Sequence, residues 1–105
     1  MDANTKAVCT KISGDLAATM DKIAEAEKIG PPAGHLAVSA QYSAGAAALY
    51  VNTFTGNTAV DDAVEQVAEA MSDLADKYMS PPKKAPSKSG LETAVKQLET
   101  ACAAG

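Results

Sequence analysis

The side chains of this chain that could do chemistry fall into three sparse sets. They are two cysteines near opposite ends (Cys9 and Cys102), a single histidine (His35), and a row of carboxylates at every fourth position (Asp61, Glu65, Glu69 and Asp73). The cysteines show no CxxC spacing and one histidine cannot complete a zinc set, so neither metal binding nor thiol catalysis is expected. No glycine-rich phosphate loop or nucleophile elbow occurs. The carboxylate pairs Asp61-Asp62 and Glu25/Glu27 fall on faces expected to be exposed, where neither desolvation nor a trapped partner would tune an acid against a base. Every basic residue is lysine, which removes the bidentate arginine recognition of carboxylate and phosphate. The chain is therefore read as a non-enzyme with no cofactor and no metal.

His35 reads as a surface residue near a helix start. The acidic row has two readings: a solvated face, or a docking face for a basic partner or for the chain's own Lys83, Lys84 and Lys88. It lacks the loop carbonyls and glycine turn of an EF-hand.

These residues must be placed by a single small domain of 105 residues. With no tryptophan, one phenylalanine and three tyrosines, alanine does much of the filling, so a covalent staple would help. A net charge of −4 argues against nucleic acid, whose phosphates call for clustered Lys and Arg.

Four helical segments and no strands are expected, with helices at about 4–28, 33–52, 59–79 and 90–103 and a linker at 80–89. The first carries Val8, Ile12, Leu16, Met20 and Ile23 at helical spacing and stops at Gly30-Pro31-Pro32. The third carries Val60, Val64, Val67, Met71, Leu74 and Tyr78, a heptad-like seam. Thr58 with Asp61, and Ser89 with Glu92, are the expected capping pairs. The linker, with three prolines and three lysines, excludes regular structure. The fourth helix places Leu91, Val95, Leu98 and Cys102 on one stripe.

Helix count and cysteine position constrain each other. An up-down bundle brings its two termini to one end only if the number of helices is even. With three helices the cysteines would lie roughly 30 Å apart at 1.5 Å per residue. Four bring Cys9 beside Cys102, so the expected fold is an up-down-up-down four-helix bundle with a short fourth helix, its termini joined by a disulfide. The short helix is expected to begin part-way down the bundle, with the linker spanning the difference in height. The alternative is a pair of reduced thiols acting as small core hydrophobes. A disulfide implies an oxidising compartment, hence a secreted or cell-surface protein. Met1-Asp2-Ala3 leads into a polar segment with no signal-peptide pattern, so export implies a signal removed before Asp2 or a leaderless route.

Between Lys28 and Asp61 no Asp, Glu, Lys or Arg occurs. At about 100° per residue, the bulky residues of the second helix form two groups: Leu36, Tyr50, Val51 and Phe54, and Val38, Tyr42 and Leu49. Three explanations stay open: a central helix with several neighbours, an interface with a partner protein or a second copy, or an apolar ligand groove or membrane-inserting face. The candidate interface or ligand face is Val38, Tyr42, Leu49, Tyr50 and Phe54. A small-molecule pocket would be lined by Leu49, Tyr50, Phe54 and Met71. A membrane span is not expected, because Ser39, Gln41, Ser43, Asn52 and many alanines dilute the hydrophobicity.

Phe54-Thr55-Gly56, mid-chain between two helices, resembles the W-x-G turn of the WXG100 family, small helical proteins exported by type VII secretion. The resemblance covers the second and third helices, with Phe in place of Trp. The family's C-terminal motif, a tyrosine followed four positions on by an acidic residue, is missing, since Tyr78 is followed by Met79-Ser80-Pro81-Pro82. The resemblance implies an exported, non-enzymatic, often dimeric interaction protein. The expected function is that of an exported, non-catalytic bundle acting by protein–protein interaction or self-association. The alternatives are a carrier or sensor of an apolar small molecule, or a membrane-active factor.

Overall fold

The computed structural model describes residues 1–104, and four helices run through them: α1 (Ala3–Glu27), α2 (Gly34–Tyr50), α3 (Thr58–Lys77) and α4 (Ser89–Ala103). No strand occurs among the described residues. The expected helix bounds lie within two residues of these at every end. Gly105, the last residue of the expected domain, lies outside the described residues.

The helix starts show which local signals were used. Asp2 caps α1: its Oδ1 accepts the Thr5 N–H at 2.7 Å, which holds the carboxyl below its ordinary pKa. Asn57 caps α3, its Oδ1 accepting from Val60 N at 3.1 Å. The expected Thr58 with Asp61 pair is not formed there, because the Asp61 carboxylate turns back to the preceding turn. The Ser89 with Glu92 pair is not formed either. Lys88 occupies the N-cap of α4 without a side-chain bond, and Ser87 Oγ accepts from Ser89 N at 3.3 Å instead. Gly30 closes the α1–α2 connection at φ +71°, a left-handed conformation that a side chain would strain.

The α3 seam from Val60 to Tyr78 is buried along its whole length. Around it lie Ile12, Ile23 and Ala26 of α1, Val38, Tyr42, Ala46 and Leu49 of α2, and Leu91, Ala94 and Leu98 of α4. Helices α2 and α3 pack most extensively, α1 packs on α2, and α4 packs on α3. The fourth seam, α1 beside α4, makes little backbone approach and is tied by the Cys9–Cys102 disulfide, with Cα atoms 5.9 Å apart. The four-helix architecture and the bond between the ends agree with the expectation from sequence.

The linker does more than span a height difference. Pro81, Pro82 and Ala85 lie across the α1–α2 connection, sharing a hollow with Gly30, Pro31, Pro32 and His35. Lys88 reaches Glu27 at the end of α1, Nζ to Oε1 3.0 Å. Helix α4 then begins beside Ala70 and Asp73, about a turn or more short of the end of α3, so the short fourth helix starts part-way along the bundle as expected.

Candidate functional site

The α2–α3 turn presents the largest exposed apolar side chain of the molecule. Phe54 is 86% exposed and Val51 72%, with Tyr50 beside them partly exposed. A lone exposed hydrophobe is ordinary, but three within five residues on a charge-free stretch form a patch. The turn that carries them is built tightly. The Asp61 carboxylate accepts from Thr55 N at 3.0 Å, from Thr55 Oγ1 at 2.6 Å and from Gly56 N at 3.2 Å. Thr55 Oγ1 in turn accepts from Asn57 N at 3.0 Å, and Gly56 supplies the positive φ of +87°. Asn52 and Thr53 bond back to the carbonyls of Ala48 and Tyr50. Phe54 is thus displayed from a turn that hydrogen bonds fix on both sides.

The candidate face Val38, Tyr42, Leu49, Tyr50 and Phe54 is divided between inside and outside. Val38, Tyr42 and Leu49 are buried in the core, whereas Tyr50 and Phe54 are exposed. The expected pocket of Leu49, Tyr50, Phe54 and Met71 is not formed, since Leu49 and Met71 fill the core and the two aromatic residues point away from it. The two groups on α2 therefore separate as inner and outer faces: Val38, Tyr42 and Leu49 inward, Leu36, Tyr50, Val51 and Phe54 outward.

The acidic row is divided too. Asp61 is engaged by the turn, while Glu65, Glu69 and Asp73 are exposed and make no ion pair among the described residues. Lys88, one of the lysines expected to answer them, pairs with Glu27 of α1 instead. Burial alone would depress its ammonium pKa, but the hydrogen bond and charge of Glu27, together with the nearby Tyr42 and Tyr78, outweigh it and the net shift is upward.

His35 sits half-buried at the opposite end of α2. Its Nδ1 lies 2.7 Å from the Tyr78 carbonyl oxygen, and since a carbonyl only accepts, Nδ1–H is the donor. One turn on, Ser39 Oγ donates to the Ala75 carbonyl at 2.7 Å. Tyr42 stacks on Tyr78 with ring centroids 6.0 Å apart, yet its buried hydroxyl has no hydrogen-bond partner. Burial pushes that hydroxyl's pKa up, against a smaller opposite pull from Lys88. These groups fasten α2 to α3.

Sequence reasoning missed the hollow along the open α1–α4 seam. It has a volume of about 520 Å³ and is lined chiefly by Cys9, Ile12, Leu16, Met20, Val95 and Leu98. The signal was present, because Leu16 and Met20 continue the α1 stripe and Val95 the α4 stripe. What periodicity does not encode is how far apart those two stripes stand. No group of three or more His, Cys, Asp or Glu able to hold a metal occurs among the described residues, and no helix is long and apolar enough to cross a membrane. No family model, no curated protein and no solved structure matches the chain.

Proposed function

We propose that this is an exported, non-catalytic helical bundle that acts by binding a protein partner through the α2–α3 turn. The single observation that carries the proposal is Phe54, the chain's one phenylalanine, held 86% exposed on a turn fixed by three hydrogen bonds to Asp61. A turn whose backbone is already fixed loses little freedom on binding, which favours the residue it displays as a binding anchor. The disulfide supports the exported reading. The resemblance of Phe54-Thr55-Gly56 to the W-x-G turn points the same way.

Charge favours a different protein over a second copy. Helix α3 leaves the turn with Asp62 and Glu65 exposed, so two copies meeting turn to turn would bring like charges together. The partner that fits offers an apolar pocket for Phe54 with a basic rim. The test is affinity capture from the native exterior with the disulfide intact, comparing the wild type with Phe54→Ala, alongside sedimentation of the purified protein. A retained partner lost on Phe54→Ala, with affinity down roughly 30-fold or more (about 2 kcal/mol) and melting unchanged, is expected. A monomer that retains nothing, or retention indifferent to Phe54, would overturn the proposal.

A further inference from the structure

The side of α2 turned away from the core repeats the cadence of the buried α3 seam. Leu36, Ala40, Ser43, Ala47 and Tyr50 step by four, three, four and three, and all five are exposed. A stripe at that spacing is what one helix presents to another along a packed seam. It is also unlike the other outward faces of the molecule. Helix α1 exposes Lys11 and Lys22, α3 exposes Glu65 and Glu69, and α4 exposes Glu92 and Lys96. Helix α2 exposes no charge, since none occurs between Lys28 and Asp61.

The stripe is symmetric about its middle. Leu36 at one end is 48% exposed and Tyr50 at the other 40%, and the three residues between them are small. A second α2 laid against it antiparallel, with the two-fold axis at Ser43, sets Leu36 of each copy against Tyr50 of the other and Ala40 beside Ala47. Alanine and serine at the centre let the helix axes approach to about 8 Å, the short end of the usual packing distances. A parallel pair would crowd both tyrosines into one end.

Charge opposes a meeting of turns but permits this pair. Ser39 bonds across to Ala75 and Gly45 stands beside Met71, so Ser72, half-buried and uncharged, is the α3 residue level with the axis. The groove on the α1 side carries one charge of each sign, Asp15 and Lys22. The second α2 begins, at its Gly34, opposite Asn52, so Phe54 projects past its end and stays free for another partner.

We propose that the outer face of α2 is a self-complementary surface on which two copies of this chain pair antiparallel, with their Phe54 turns at opposite ends of the dimer. From Leu36 to Tyr50 the stripe rises about 21 Å. That contact is smaller than those of obligate dimers, so the pair is reversible, with a dissociation constant on the order of 10–100 µM.

Sedimentation of the disulfide-bonded chain from about 1 to about 500 µM tests this, with circular dichroism and melting to confirm that each variant folds. The wild type is expected to pass from monomer to dimer within that range. Ser43→Glu, which sets two carboxylates against each other at the axis, should weaken association at least about tenfold with melting unchanged. Ala40→Glu with Ala47→Glu should abolish it. Ala40→Glu with Ala47→Lys should associate at least about tenfold more tightly than that variant, because only an antiparallel pair brings position 40 of one copy to position 47 of the other. Phe54→Ala should dimerise like the wild type, so the pairing is read separately from capture of a partner by the turn. A monomer throughout the range, or association indifferent to Ser43→Glu, would overturn the proposal. Equal weakening by the two double variants would overturn the antiparallel arrangement, and a dimer lost with Phe54→Ala would assign the contact to the turn and overturn the α2 face.

Discussion

Along α2 and α3 the bundle is held by side chains that interlock, whereas along α1 and α4 it is held by one covalent bond. The first seam has its own pins: Ser39 Oγ on the Ala75 carbonyl, His35 on the Tyr78 carbonyl, and the Tyr42–Tyr78 stack. It also has a point of close approach at Gly45. A Cβ there would stand 2.6 Å from Met71 Cε and 2.7 Å from Thr19 Cγ2, so α1 and α3 both press on α2 at a residue with no side chain. The second seam has half-buried walls and a hollow between them. A seam closed by packing needs complementary shapes along its length. One closed by a disulfide needs correct placement at a single point, and the rest of its surface is free for other use.

The contrast is tested most severely by removing the covalent bond. The Cys9→Ser, Cys102→Ser double variant opens a loop of sequence separation 93. It should lose up to about 4–5 kcal/mol in the chain-entropy view, read as a lower denaturant midpoint. Against a typical total of about 5–15 kcal/mol, a loss below about 1 kcal/mol would mean that α1 and α4 hold each other without the bond.

The same truncation made on the two sides should differ next. Leu49→Ala, in the closed seam, should cost about 2–5 kcal/mol, and Leu16→Ala, on the wall of the hollow, about 1 kcal/mol. Equal losses in chemical denaturation would erase the distinction.

Gly45→Ala comes third. Crowding against Thr19 is expected to outweigh the helix-propensity gain of about 1 kcal/mol and to leave a net loss of about 1 kcal/mol, because Met71 can swing away but the β-branched Thr19 cannot. A rise in melting temperature would mean that the triple approach is loose.

The smallest effect is Tyr42→Phe, which removes a buried hydroxyl with no partner and should stabilise by about 1 kcal/mol or slightly less. It also carries a sign in pH. Burial raises the Tyr42 pKa in the fold, so above about pH 10 the unfolded chain loses its proton first. The stability linked to that proton is complete below the unfolded value and falls as pH climbs through the folded one. Melting of the wild type should therefore drop on the alkaline side, and Tyr42→Phe should reduce that drop. Lys88, also raised, works in the same direction and leaves a residue of it.

The sequence carried the helices, their number and the pairing of the cysteines, because each rests on a period or a count. It also sorted the bulky residues of α2 into two groups, without saying which faced inward. That choice belongs to α3, whose buried seam takes Val38, Tyr42 and Leu49 and leaves Tyr50 and Phe54 outside. The Thr58 with Asp61 pair does not form because Asp61 satisfies three donors of the preceding turn rather than its own helix, and at α4 Ser87 bonds the Ser89 N–H instead. The Phe54 display was partly legible in the Phe-Thr-Gly turn, but not the bonds that stiffen it. The α1–α4 hollow was not legible, because it depends on the distance between two helices far apart in the chain.

The Cys9–Cys102 bond also changes what a break in the backbone means. The residues from Pro81 to Ala85 are exposed and include Lys83 and Lys84, an accessible target for a trypsin-like protease. A cut there would sever α3 from α4 in sequence but not in substance, because α4 would stay fastened to α1 through sulfur. A nicked molecule would stay in one piece, heavier by one water, and release its C-terminal piece only on reduction, so the chain is protected from loss at an exposed stretch by a bond made at its opposite end.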